Sequence, residues 1–174
     1  MKANFLELGR KLFDSQRHLW LRARPHARSS ATDSQRAGTW LVDVGLTSRK
    51  LENIGDVISI KPFARDRQSS NRPWPTKLGE PIAFIEWEGA AISAADELYH
   101  TVWETVIDTE VVESPVDGSV EYIYTNADEE LDEDTVLLQI MTNHESIQKA
   151  FDNLLEEVRY EEYVKAIGPG KFQD

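Results

Sequence analysis

The sequence predicts a β-rich α+β domain, and three observations support this fold class. Short runs of β-branched and aromatic residues recur along the chain between turn-forming residues, as in sheet proteins. One threonine is placed to cap a short helix after the first of these runs. An apolar period of 3.6 residues marks the C-terminal part. With 174 residues, the chain is long enough for one well-packed core, so we expect helices packed on a small β body.

The first 38 residues differ from the rest of the chain in charge. They carry eight Lys or Arg against three Asp or Glu, and Phe5, Leu8 and Leu12 fall near one helical face. This pattern predicts a basic leader over residues 1–38 with the composition of a mitochondrial targeting segment. The alternative interpretation is a basic arm that docks on a partner or on RNA. The folded body is then predicted to span residues 39–174.

Turn signals separate the predicted strands of the body. Thr47 is placed to cap a short helix that ends at Gly55. Ser93 and Asp96 have the spacing of a capping box, which allows another short helix before the strand that begins near residue 103. A last helical period runs to Val164. The predicted strands are residues 39–44, 57–60, 81–87, 104–111, 119–125 and 136–140, and residues 61–77 are predicted to form a loop.

Composition limits the classes of function. The chain has no cysteine, which excludes disulfides, thiolate zinc sites and thiol nucleophiles. No apolar run approaches the roughly 20 residues that cross a bilayer, so no membrane span is expected. Residues 39–174 hold 11 basic and 28 acidic residues, a balance that repels nucleic acid and favours either solubility or a basic partner. The basic N-terminal arm is the one exception for nucleic acid.

The sequence offers few candidates for catalysis or metal binding. Glu86 and Glu88 would share one face of a strand, where a solvated surface is the main interpretation and an acid–base pair the alternative. The acidic run at residues 128–134 lacks the central glycine and the final glutamate of an EF-hand loop. The four histidines are scattered in sequence at His18, His26, His100 and His144. We expect no enzyme activity, no metal, no cofactor and no small-molecule substrate.

Three sequence blocks follow one another between residues 40 and 167. The first is VGLTSRKLENIGDV at 44–57, and the second is ESPVDGSV at 113–120. The third, at 138–167, contains YEEY. Together they resemble the H protein family of the glycine cleavage system. The resemblance implies the lipoyl/biotinyl hammerhead fold, a β-sandwich or barrel-sandwich hybrid with a short helix after the first strand and a C-terminal helix.

Members of that family carry lipoate on one lysine of a hairpin, and this chain lacks that lysine. Counting back from the SPVDG turn places Ile107 at the lysine, whereas counting forward from Gly79 places Gly89 there. The disagreement between the two alignments predicts an insertion near residues 89–103. No Lys or Arg occurs from Leu78 to Gln148, so neither alignment supplies the amine that lipoate needs.

The residue at the hairpin is itself informative. An isoleucine in water at a hairpin tip would gain nothing, so Ile107 is predicted to contact protein, either its own core or a partner. Leu98, Tyr99 and Trp103 of the insertion are predicted to cover it or to contact a partner with it.

The resemblance and the missing lysine together predict a lipoate-free H-like protein. Such a protein would serve as an interaction or structural subunit of a larger assembly, and the leader places that assembly in the mitochondrial matrix. The alternative is a lipoyl carrier of glycine cleavage that is modified at a non-standard lysine, Lys77 or Lys61. A third class, an enzyme, would depend on Glu86 and Glu88.

Overall fold

A computed structural model describes residues 9–25, 39–63, 74–92, 103–126 and 129–168. Nine strands and three helices lie in this part of the chain. The strands are β1 (Leu12–Asp14), β2 (Leu19–Pro25), β3 (Thr39–Leu46), β4 (Asp56–Pro62), β5 (Trp74–Thr76), β6 (Pro81–Ile92), β7 (Trp103–Glu113), β8 (Gly118–Ile123) and β9 (Leu138–Asn143). The helices are α1 (Ser48–Glu52), α2 (His144–Phe151) and α3 (Glu157–Ile167).

The strands form two antiparallel sheets. The larger sheet has the order β1-β2-β3-β9-β8-β5, and the smaller one has the order β4-β6-β7. Side chains from both sheets meet in one buried cluster, with Val44 and Ile140 from the larger sheet and Ile60 and Ile85 from the smaller one. This β-rich architecture confirms the predicted class, and two sheets on a shared core are compatible with a β-sandwich.

A second, smaller cluster lies on the opposite face of the larger sheet. Phe13 and Tyr160 stack there with ring centroids 4.9 Å apart, and Trp20 completes the cluster. The Trp20 indole lies so close to Gly45 that a Cβ at that position would be 2.2 Å from its Cε2 atom. Glycine is therefore required opposite the indole, and α3 covers a face that the sandwich core leaves open.

The N-terminal part of the chain corrects one prediction. Residues 12–25 form β1 and β2, and Leu21 is fully buried in the main core, so the folded body does not begin at Thr39. The positive charge that suggested a leader has a structural use here, because Arg22 and Arg24 both pair with the buried carboxylate of Asp43. Residues 1–8 and 26–38 lie outside the described part.

Local signals set the first helix correctly. Thr47 caps α1 and accepts a hydrogen bond from the Lys50 backbone N–H at 3.2 Å. The predicted strands at 39–44 and 57–60 correspond to β3 and β4, each somewhat longer than predicted.

The C-terminal part departs from the prediction of one continuous helical period. It divides into α2 and α3, because Phe13 and Leu155 exchange two backbone hydrogen bonds of 2.8 and 2.9 Å. Those bonds hold the chain in an extended conformation between the two helices, so tertiary pairing overrides the local period. The predicted short helix at residues 93–96 lies outside the described residues.

Candidate functional site

The hairpin formed by β6 and β7 contains both positions that the resemblance predicts for a lipoyl lysine. The two strands pair from Pro81 opposite Glu113 to Ile92 opposite Trp103. Glu88 lies opposite Ile107, and Gly89 lies opposite Val106. The two alignments therefore lead to adjacent rungs of one ladder, although they are 18 residues apart in sequence. Neither rung carries an amine.

One face of β7 presents a continuous row of β-branched side chains. Thr105, Ile107, Thr109 and Val111 are all exposed, and Ile107 is 62% and Val111 47% accessible. Such side chains usually pack on a half-buried sheet surface. Among the described residues, Ile107 does not pack into the core. We call this row, Thr105, Ile107, Thr109 and Val111, the β7 stripe.

The predicted cover for Ile107 falls mostly outside the described part of the chain. Leu98 and Tyr99 lie outside it, and Trp103 is described as the first residue of β7. The ends of the predicted insertion at 89–103 belong to the hairpin. Residues 89–92 continue β6 and pair with the first residues of β7. The hairpin is therefore longer than the predicted strands suggested.

Carboxylates border the β7 stripe. Glu88 lies between Asp56 of β4 and Ile107 of β7 in one row across the small sheet, and Glu86 lies opposite Thr109 in the next row. Directly opposed residues share a face of a sheet, so these acidic side chains share the face of the stripe. Lys61 lies in the row of Phe84 and Val111, at the other end of this face.

The base of the hairpin is held firmly against the rest of the fold. The Lys50 ammonium of α1 forms an ion pair with Glu110 of β7, and both side chains are mostly buried. A Cβ on Gly55 would be 2.0 Å from the Glu88 carbonyl oxygen, so only glycine permits this backbone approach. These contacts fix the direction in which the β7 stripe faces.

The two lysines considered for an alternative attachment occupy different settings. Lys61 is exposed on β4, within a paired strand. Lys77 is exposed at the start of a tight turn in which its carbonyl accepts from the Glu80 N–H at 2.9 Å and Gly79 has a φ of 86°. The next residue, Leu78, donates its N–H to Asp117 of the SPVDG turn at 2.7 Å. Lys77 thus lies on a turn, away from the lysine-equivalent rungs.

A buried polar network, which no sequence pattern predicts, joins α3 to the larger sheet. The Tyr160 hydroxyl donates to Thr47 Oγ1 at 2.8 Å, and that hydroxyl donates to the His18 carbonyl at 3.0 Å. The Tyr160 oxygen must therefore accept the proton of His18 Nδ1, 2.8 Å away. Each hydroxyl proton in the network has one acceptor, so the neutral His18 ring carries its proton on Nδ1.

Burial shifts the acidity of this network. Burial, and then the nearby charges of Lys50 and Arg49, lower the pKa of His18 below 6.5. Burial likewise raises the pKa of the Tyr160 hydroxyl above 10. Both groups are therefore neutral at pH 7, which is the state that the hydrogen bonds require. Because His18 has a positive φ of 53° in the turn after β1, no periodic pattern could have located it.

The other candidates from the sequence do not assemble into a reactive centre in the described residues. Glu86 is half-buried and Glu88 exposed, on a sheet face where the described rows bring no histidine beside them. In the acidic run, Asp134 pairs with Lys11 at 2.7 Å, and Glu133 accepts from Ser48. His144 stacks near Trp40, with ring centroids 6.4 Å apart.

The described residues contain neither a group of metal ligands nor a membrane-spanning helix. Over that part of the chain, no three His, Cys, Asp or Glu side chains are grouped as metal ligands. None of the helices found there combines the length and the apolar character needed to cross a bilayer. His26, His100 and Asp128 fall outside these limits.

Comparison with other proteins gives no family assignment. No protein-family model matches the chain, and no curated protein and no solved structure is significantly similar to it. The function has to be argued from the site.

Proposed function

We propose that this chain is a lipoate-free relative of the glycine cleavage H protein that serves as an interaction or structural subunit of a larger assembly. The hammerhead form of the β-sandwich is part of this proposal. The observation that carries it is the exposure of Ile107, at 62%, on the hairpin where the resemblance requires an amine. The exposed apolar side chains of Ile107 and Val111, on a hairpin that is anchored to the rest of the fold, support a surface that contacts another protein.

The energetics favour a partner for this surface. Burying an isoleucine side chain contributes roughly 1.5–3 kcal/mol, and in the free protein most of that stabilisation is missing at Ile107. A partner that covers Ile107 and Val111 together would recover a large part of it. The carboxylates of Glu86 and Glu88 then form a polar rim that directs recognition more than it adds affinity.

A location in the mitochondrial matrix remains part of the proposal in a narrower form. Removal of residues 1–38 would delete β1 and β2, together with the buried Leu19 and Leu21. Any cleaved leader must therefore end before Leu12. N-terminal sequencing of the mature protein tests this directly, because a mature chain beginning at residue 39 would contradict the fold.

The docking role is tested by native size in a cell extract, with two matched variants. Wild type is expected to elute well above the mass of the 19.9 kDa monomer, with a co-purifying protein. Ile107→Asp is expected to elute as the monomer, since an aspartate would place a charge in the contact. Val158→Asp, which alters an exposed valine of α3, is expected to behave as wild type. A wild-type protein that is monomeric and has no partner would refute the proposal.

A working lipoyl carrier is the second candidate, and the position of Lys77 favours it. An exposed lysine at the start of a tight turn is accessible to a modifying enzyme, whereas Lys61 lies within a paired strand. The intact mass of the mature protein separates the two functions. A lipoyl adduct that disappears in Lys77→Arg and persists in Lys61→Arg would establish the carrier, and an unmodified mass would exclude it.

A further inference from the structure

β7 is the outermost strand of the small sheet in the described part of the chain. β6 pairs with it along one edge over 11 residues, and no described strand pairs with its other edge. A strand at a sheet edge presents a row of backbone N–H and C=O groups to which an extended segment can add. The β7 stripe runs along this strand, so exposed apolar side chains accompany the backbone edge. One N–H in this strand, that of Thr109, donates to the Asp108 carboxylate at 2.8 Å, and an added strand would replace that bond.

The charge of β7 narrows the choice of occupant. Its sequence, WETVIDTEVVE, contains four acidic residues and no basic one. The acidic side chains of Glu86 and Glu88 lie on the neighbouring strand, β6, on the same face of the sheet as the stripe. An added strand would therefore run along a strand whose own side chains are acidic or neutral, where lysine and arginine are favoured.

A second copy of this chain is a poor occupant for the same reason. Antiparallel pairing of two β7 strands would bring acidic residues of both copies together, with no basic residue in either strand to compensate. Like charges opposite each other in a ladder are destabilising. The acidic residues thus protect this edge from self-association while leaving it open to a basic strand.

We infer that β7 receives a basic, extended segment of a partner protein as an added strand. This inference rests on the proposed docking function and specifies the partner's chemistry. The segment alternates apolar side chains, which pack beside Ile107 and Val111, with Lys or Arg, which meet Asp108 on the opposite face of β7. Its backbone completes the ladder at the edge of β7.

The inference is tested with three labelled nonapeptides and the full chain. The first alternates valine and lysine, the second alternates valine and glutamate, and the third is the valine–lysine peptide with N-methyl groups on alternate residues. Fluorescence anisotropy is expected to show binding of the first peptide. The glutamate peptide and the N-methylated peptide are each expected to bind at least about tenfold more weakly, through charge repulsion and loss of ladder hydrogen bonds respectively.

Two charge variants locate the binding site. Asp108→Lys is expected to weaken binding of the valine–lysine peptide about tenfold, whereas Glu161→Lys on α3 makes the same change of charge away from the hairpin and is expected to have no effect. Asp108 and Glu161 are both exposed, so neither substitution is expected to prevent folding. Hydrogen exchange is expected to show slower exchange of β7 amides when the peptide is bound.

The outcomes separate this inference from the proposed function. Equal binding of the N-methylated peptide, equal binding of the glutamate peptide, or a concentration-dependent homodimer that Asp108→Lys alters would each overturn the added-strand inference. If Ile107→Asp still disrupts the native complex under those results, the docking function stands without a β7 strand addition. A monomeric wild-type protein in extract refutes the docking function itself.

Discussion

β3 and β7 violate the usual division between buried apolar and exposed polar residues in opposite ways. In β3, the Asp43 carboxylate is almost fully buried, and it accepts from Arg22 at 3.1 Å and Gln139 at 3.0 Å. In β7, Ile107 is an apolar side chain that is mostly in water. A buried carboxylate costs free energy unless it is compensated, whereas an exposed isoleucine only forgoes the stabilisation that burial would give. The larger sheet compensates for its buried charge within the chain, whereas Ile107 of the smaller sheet stays exposed among the described residues.

The two sheets differ in how completely their faces are covered. The larger sheet is covered by the main core on one face and, around Trp20, by α3 on the other, so its residues contribute chiefly to stability. The β6–β7 hairpin is fixed at its base by Lys50 and Gly55, and its outer face is left exposed. A surface with fixed geometry loses little conformational entropy when it binds. Variants that alter the two regions should therefore separate stability from binding.

The largest expected effect comes from removing β1 and β2. Deletion of residues 1–25 removes one edge of the larger sheet and the buried side chains of Leu19 and Leu21, so the cooperative unfolding transition should be lost. Deletion of residues 1–8, which precede the described part, is the control and should keep the transition. Circular dichroism during heating measures both. A folded 26–174 chain would show that the first two strands are dispensable.

A matched pair of isoleucines gives the next largest effect. Ile140→Ala, in the core strand β9, should lower the free energy of unfolding by about 2–5 kcal/mol because it leaves a cavity. Ile107→Ala, in β7, should change it by less than about 0.5 kcal/mol because the side chain is already exposed. Guanidinium unfolding measures both values. A large loss for Ile107→Ala would mean that this side chain stabilises the folded protein, and the contrast between the sheets would fail.

A second matched pair tests how α3 is attached. Tyr160→Phe should lower the free energy of unfolding by about 1–2 kcal/mol, because the N–H of His18 and the hydroxyl of Thr47 lose a buried partner. Tyr163→Phe removes a hydroxyl from a more exposed tyrosine three residues later and should be nearly neutral. The ring stacking on Phe13 is retained in the first variant, so the difference reports the hydroxyl alone.

The parts of the fold that follow local rules could be predicted from the sequence. The Thr47 cap, β3, β4 and the strand character of β7 all depend on residues within a few positions of one another. The break between α2 and α3 could not be predicted, because it depends on the pairing of Leu155 with Phe13, which are distant in sequence. Long-range pairing also explains why local patterns predict a leader in a segment that contains β1 and β2.

The sequence predicts where the candidate site lies along the chain, but it does not predict the geometry of the site. The resemblance to the H protein family predicts Ile107 and Gly89 as alternatives, and only the ladder register shows that they occupy adjacent rungs. The His18 network was missed because its members are brought together by three separate elements and share no spacing signal. Strand registers and turn contacts therefore have to be taken from the structure.

The smallest expected effect is a dependence of stability on pH that arises at His18. The charged and titratable groups that face this side chain are Asp14, Arg49, Lys50, Glu110 and Tyr160. Burial is the main cause that lowers the pKa of His18 in the folded protein below its unfolded value of 6.5. Below pH 6.5 the unfolded chain therefore binds a proton more readily than the folded chain, so stability falls as the pH decreases through that window.

Urea unfolding at pH 7.5 and pH 5.5 measures this contribution. The His18→Asn variant, whose side chain tolerates the positive φ of 53°, should lose less stability between the two pH values than wild type. His144→Asn changes an exposed histidine on α2 and should keep the wild-type difference. An unchanged pH dependence in His18→Asn would show that protonation of His18 is not coupled to folding. The attachment of α3 would then depend on hydrogen bonding and packing alone, with no contribution from the titration of His18.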